Sequence, residues 1–175
     1  MSRVSVLGIV VSLFAVGCSS STPAPTTPSA PPTRFVFQAA LSAANENPPI
    51  SNAESTGRGN AKVTMNVTRD GSNNITAATV DVEATFTTFP NGTTATAAHI
   101  HTGATGVNGG VLVAMVPAAG EVTMPNGSGS YVRSGFPVTP VDVANQIIAN
   151  PAGFYFNVHT ALNPGGVVRG QLALQ

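Results

Sequence analysis

The chain has 175 residues, seven basic and seven acidic side chains and no formal net charge, and only 8% of its residues are charged. So sparse a charge pattern excludes nucleic acid as a partner, because a phosphate backbone is bound by a dense basic footprint, and it leaves little field to steer an ionic substrate. Hydrophobic residues make up 42%, without a single Trp, alongside 18 Gly and 14 Pro; with the many Thr and Asn this describes a turn-rich β chain rather than a helical one.

In chain order, residues 1–17 start with Arg3 and continue as an apolar run, Val4 to Val16, broken only by Ser5, Gly8 and Ser12. That is the pattern of a secretory signal, too short for a comfortable membrane span. Its end, Ala15-Val16-Gly17-Cys18, resembles a bacterial lipoprotein box. The resemblance implies cleavage before Cys18, lipid on the thiol and amine of that residue, and membrane attachment through it in the bacterial cell envelope. Ser19 after the cysteine points to the outer membrane. Cys18 is the only cysteine, so lipidation leaves no disulfide and no thiolate ligand, and stability rests on core burial. Residues 18–33 hold Ser, Thr, Pro and Ala in place of core formers. They predict a disordered, partly polyproline tether, about 45 Å long at roughly 3.1 Å per residue.

Residues 34–175 read as one domain. Arg34 to Leu41 forms a first strand, and Asn45 to Thr56, with Pro48-Pro49, a loop. Asn60 to Thr68 alternates, with Ala61, Val63, Met65 and Val67 on one face. Asp70-Gly71 signals a hairpin turn. Ile75 to Phe86 alternates again, with Val80, Val82, Ala84 and Phe86 inward; Ile75 and Ala77 are out of phase and predict a bulge near Ala77-Ala78. Thr94 to Thr102 and Gly110 to Val116 are strands around a Gly-rich loop, and Gly120 to Phe136 carries weaker strand signals. Thr139-Pro140-Val141-Asp142 predicts a helix with Thr139 as its cap, an apolar stripe of Val141, Ala144, Ile147 and Ile148, and an end at Asn150-Pro151. The pattern is that of an all-β, antiparallel Greek-key β-sandwich, immunoglobulin-like or superoxide-dismutase-like, with one short helix.

The chain ends on an aromatic strand, Phe154 to Thr160, a turn at Asn163-Pro164-Gly165-Gly166, and a return strand with Arg169-Gly170-Gln171. These stretches, Ala98-His99-Ile100-His101-Thr102-Gly103 with Gly106 to Val111, and Phe37 to Ser42 with Asn45-Glu46-Asn47-Pro48-Pro49 together resemble the chordin-type (CHRD) domain. The resemblance covers most of residues 35–174, with one departure: Val167 stands where the family has an acidic residue shortly before Arg-Gly-Gln. It implies an all-β sandwich and an extracytoplasmic location. In animals the domain occurs in an extracellular growth-factor antagonist, and in bacteria in secreted or anchored proteins. The expected function is that of a non-enzymatic binding or structural module.

All three histidines lie in two of these strand segments. His99 and His101 are two positions apart, so on a strand they share a face with Cα atoms about 6.6 Å apart at roughly 3.3 Å rise per residue. With His159 they could hold one Zn²⁺ or Cu²⁺ and leave a fourth position open, as a metal-binding or metal-dependent redox protein would. The His-Ile-His-Thr-Gly stretch is also similar, over a few residues, to copper–zinc superoxide dismutases, whose full ligand set is absent. The alternative is three buried imidazoles that bridge strands through carbonyls, with Thr102 or Thr160 nearby. If Ile100 faces the core, His99 and His101 point outward or toward something that covers them. Arg169 could take a ligand carboxylate, or brace the hairpin against Glu46, Asp81 or a main-chain carbonyl. No catalytic set is read from the chain. Asn126-Gly127-Ser128-Gly129-Ser130 has its glycines misplaced for a nucleophile elbow, Gly103 to Gly110 lacks the Lys and helix of a phosphate loop, and Asp81 and Glu83 read as a solvated face.

Overall fold

The computed structural model describes residues 30–175. The signal sequence (1–17), the lipidation site Cys18 and the tether as far as residue 29 lie outside the described residues. The strands are Arg34–Ser42 (β1), Arg58–Arg69 (β2), Ile75–Thr87 (β3), Thr93–Thr102 (β4), Val111–Ala114 (β5), Thr123–Met124 (β6), Gly129–Pro137 (β7), Phe154–Thr160 (β8), Val168–Gln171 (β9) and Ala173–Leu174 (β10); the one α-helix is Asp142–Ala149 (α1). The described residues are thus all-β with one short helix, and their strand pairings are antiparallel.

The spatial order is β5-β4-β8-β9-β1-β2-β3-β7, with β10 against β1 and β6 against β4. Neighbours in space are often distant in sequence (β4 beside β8, β9 beside β1, β3 beside β7), as Greek-key crossovers require. The two halves of this sheet are joined where Ser42 pairs with Arg169. The sheet then curls until its far edges meet again: Tyr131 Oη of β7 donates to the Met115 carbonyl just beyond β5, at 2.7 Å. The result is nearly closed, which leaves little unpaired edge.

Inside lie the alternating apolar residues. Ala61, Val63, Met65 and Val67 of β2 and Val80, Val82, Ala84 and Phe86 of β3 are buried, and meet Phe37, Ile100, Met115, Phe156 and Leu172 in one core. The core also takes Val143, Ala144 and Ile147 of α1, with Val141 and Ile148 at its margin. The helix begins later than the sequence predicts: Val141, not Thr139, occupies the N-cap, and no side chain caps it. The Pro140 carbonyl instead accepts from the Val143 N–H at 3.1 Å, so a backbone turn does the work expected of a hydroxyl.

The bulge in β3 falls at Thr76, since Thr68 pairs with Ala77 and Arg69 with Ile75. That is one residue before the predicted site and restores the phase of the strand by the same means. The compact unit starts at Pro31. Val67 donates to the Thr33 carbonyl at 2.8 Å and Arg69 to that of Pro32 at 3.3 Å, so the last residues read as tether are tied to the β1–β2 edge. Among the described residues no helix is long and apolar enough to cross a membrane.

Candidate functional site

The site is set by which way β4 and β8 turn their side chains. In register, His99 faces Asn157, Ile100 faces Phe156, and His101 faces Tyr155. Directly paired residues project to the same side of a sheet. Ile100, Phe156 and Val158 are fully buried in the main core, so His99, His101, Tyr155, Asn157 and His159 stand on the opposite, outer face. β9 extends it, because Arg169 pairs with Asn157 and Gln171 with Tyr155. One further device sets the phase. Ala95 pairs with Thr160 and Ala97 with His159, leaving Thr96 as an extra residue. This bulge lets Ala95 face the core while Ala97, His99 and His101 face outward.

An outer face would normally be wet, yet all seven residues of β8 are buried. Three loops roof it, at residues 46–57, 103–110 and 161–167. The roof is tied together by amides. Asn47 Nδ2 donates to the Gly106 carbonyl at 2.7 Å, Asn108 Nδ2 to the Asn47 carbonyl at 2.6 Å, and Asn52 Nδ2 to Asn163 Oδ1 at 2.8 Å. The buried Glu54 carboxylate accepts from Thr160 Oγ1 at 2.6 Å and from Asn163 Nδ2 at 2.5 Å. Between the roof loops lies an open pocket of about 400 Å³, walled by Pro48, Pro49 and Leu162 and floored in part by Glu46 and Gly166.

The three imidazoles meet under this roof. Ring centroids are 4.8 Å apart for His99–His159, 5.4 Å for His99–His101 and 5.8 Å for His101–His159. One ligating nitrogen from each lies within 4.8 Å of the other two. His101 and His159 are each 7% exposed, and His99 is half-buried. His101 Nδ1 lies 3.0 Å from the Gly109 carbonyl and His159 Nδ1 3.0 Å from that of Pro164. A carbonyl only accepts, so both Nδ1 atoms carry the proton and both Nε2 atoms are bare in the neutral rings. His99 Nδ1 lies 2.9 Å from His159 Nε2 and donates to it; His101 Nε2 is buried with no partner. Burial pushes the His99 imidazole down to about 4, helped by the other two rings, and moves His101 and His159 in the same direction.

Arg169, 2% exposed, lies beside them. Its Nε donates to the Asn45 carbonyl at 2.6 Å and its Nη1 to Asn108 Oδ1 at 2.8 Å. Its guanidinium sits 4.8 Å from the centre of the Tyr155 ring, which in turn stacks on His101 at 4.9 Å, 5° from parallel. Glu46 supplies the nearby carboxylate, with Oε2 at 3.8 Å from Nε; burial raises its carboxyl to about 7 against the pull of Arg169. Asp81 is elsewhere, accepting from Asn66 Nδ2 and the Gly135 N–H. Val167 is fully buried, so the acidic neighbour of Arg169 comes from the opening loop and not from the residue before β9. Glu46 Oε1, Asn157 Oδ1 and Arg169 Nη2 are all buried without hydrogen-bond partners.

Sequence reasoning singled out the three His and Arg169, and the structure gathers all four on one face. It missed Tyr155, Asn157, Asn108 and Gln171. Counting back in twos from His159 would have found Tyr155 and Asn157, and two beyond Arg169 is Gln171. No local signal marked Asn108. The family model described as CHRD domain matches residues 37–172, which is most of the chain and includes every residue of this face, and the chain belongs to that family. No curated protein and no solved structure matches it.

Proposed function

We propose that this CHRD-domain chain is a lipid-anchored, extracytoplasmic binding module without catalysis of its own, and that its recognition surface is the roofed outer face of β4, β8 and β9. The observation that carries the reading is convergence. The stretches on which the family resemblance rests come from the start, the middle and the end of the domain, and they meet on this face beneath three interlocked loops. A scaffold that only had to fold would fill such a layer with apolar side chains. Here it holds buried Glu46, Asn157 and Arg169 with polar atoms unpartnered, a feature that ordinary folding avoids and that binding sites exploit.

The signal sequence and the box ending at Cys18 support secretion and lipid attachment. Mass spectrometry of chain extracted from membranes should find a diacylglyceryl-modified Cys18 at the mature N-terminus, and Cys18→Ala should release the protein from the membrane fraction. Recovery of wild type in the soluble fraction with a free Cys18 would remove the anchor. Turnover of hydrolase or redox substrates, lost on Glu46→Gln, would overturn the binding-module reading.

A further inference from the structure

We infer that His99, His101 and His159 form a mononuclear site for a divalent transition-metal ion, zinc or copper, with its fourth position left to solvent or to an exogenous ligand. The inference rests on the reading of the outer face as a binding surface and names what is bound there. It follows from how each ring is held. Two of the three imidazoles spend Nδ1–H on fixed backbone carbonyls, those of Gly109 and Pro164, at 3.0 Å each. This is the arrangement by which metal-ligating histidines are oriented, since the carbonyl sets both tautomer and ring plane and turns a bare Nε2 toward the ion.

A histidine serving only to bridge strands would use its second nitrogen or leave it in water. His101 does neither: its Nε2 is buried and has no partner, with the ring clamped between the Gly109 carbonyl and the Tyr155 stack. His99 Nδ1–H donates to the bare His159 Nε2 at 2.9 Å, so nitrogens of these two rings already converge on one point. Bonds of about 2.0–2.1 Å in a tetrahedral site separate ligand nitrogens by roughly 3.3 Å. The ligating atoms already lie within 4.8 Å of each other, so side-chain rotations close the gap while the strands stay in place. Three neutral nitrogens, with no oxygen or sulfur ligand among them, suit Zn²⁺ and Cu²⁺ and not Mg²⁺ or Ca²⁺. The ion enters past His99, the one ring of the three that is only half-buried.

The test uses the lipidated full chain in detergent, stripped with chelator and then loaded with zinc or copper sulfate in separate arms. Elemental analysis after gel filtration should give one ion per chain, and the copper arm should show nitrogen hyperfine splitting in its paramagnetic resonance spectrum. His99→Gln and His159→Gln, checked for native circular dichroism, should each lose at least about 100-fold in affinity, more than removal of an orienting partner costs; Glu83→Gln, on the exposed side of β3, should bind as wild type does. Wild type that retains no stoichiometric ion in either arm would overturn the site, as would a folded His99→Gln that retains the ion undiminished. Either result leaves the broader reading standing if the protein is still membrane-anchored and catalytically silent, so the two failures are told apart.

Discussion

Arg169 shows how this molecule keeps a permanent charge in its interior. Guanidinium cannot shed its proton, so at 2% exposure it must be matched in place, and the Asn45 carbonyl, Asn108, Glu46 and the Tyr155 ring do so. Lysine would keep the charge but lose the planar fork and the stacking. Arg169→Lys should therefore destabilise the protein by about 2–4 kcal/mol in urea denaturation, near the cost of breaking a buried pair. Glu46 faces that guanidinium, with Asn157 and the open pocket around it, and its carboxyl is raised from 4.5 to about 7. The folded chain thus holds a proton that the unfolded chain releases at lower pH, and the associated stability is lost as pH rises through that interval. Relative to Glu46→Gln, which mimics the protonated form, wild type should lose stability as pH rises from 4.5 to about 7 and run parallel to it above that. Urea midpoints of the two across this range are the measurement. The histidines and Arg169 stood out in the sequence because they are rare polar residues in apolar strands. Tyr155 and Asn157 did not, because an aromatic strand gives no hint that its second face is also covered.

Among the secondary-structure elements, the strands β2 and β3 were legible to within two residues, because their apolar residues alternate with the period of the pleat. What alternation could not place were the bulges. Thr96 is one extra threonine in a run of Thr and Ala, yet it turns His99 and His101 to the outer face; the choice depends on pairing with β8, sixty residues away. The helix start was misplaced for a related reason: its first turn is closed by backbone contacts rather than by the threonine whose type suggested a cap. The Gly-rich loop was legible as a loop but not as a roof. A Cβ on Gly109 would collide with the Thr102 carbonyl, so Gly109→Ala must displace the carbonyl that orients His101. We expect a cost of about 2–4 kcal/mol with weakened metal retention. Gly106, with φ +78° but open space around it, should lose only about 1 kcal/mol on change to Ala. Thermal melts of the two variants side by side check the contrast.

Closure of the molecule depends on contacts that no short-range pattern announces. The buried hydroxyl of Tyr131 reaches the Met115 carbonyl across the gap between the first and last strands of the sheet order. Tyr131→Phe keeps the ring and leaves that carbonyl unpaired. It should cost about 1–2 kcal/mol, read as a lowered urea midpoint with an unchanged slope. Composition and alternation were enough to establish an all-β domain with one short helix, since both depend on neighbours within a few residues. The order of the strands, the side of the sheet on which the histidines stand, and the loops that bury them arise from pairings between segments scattered from Phe37 to Leu172. Those pairings are selected by the joint burial of one core, a property of the folded whole that no single stretch carries.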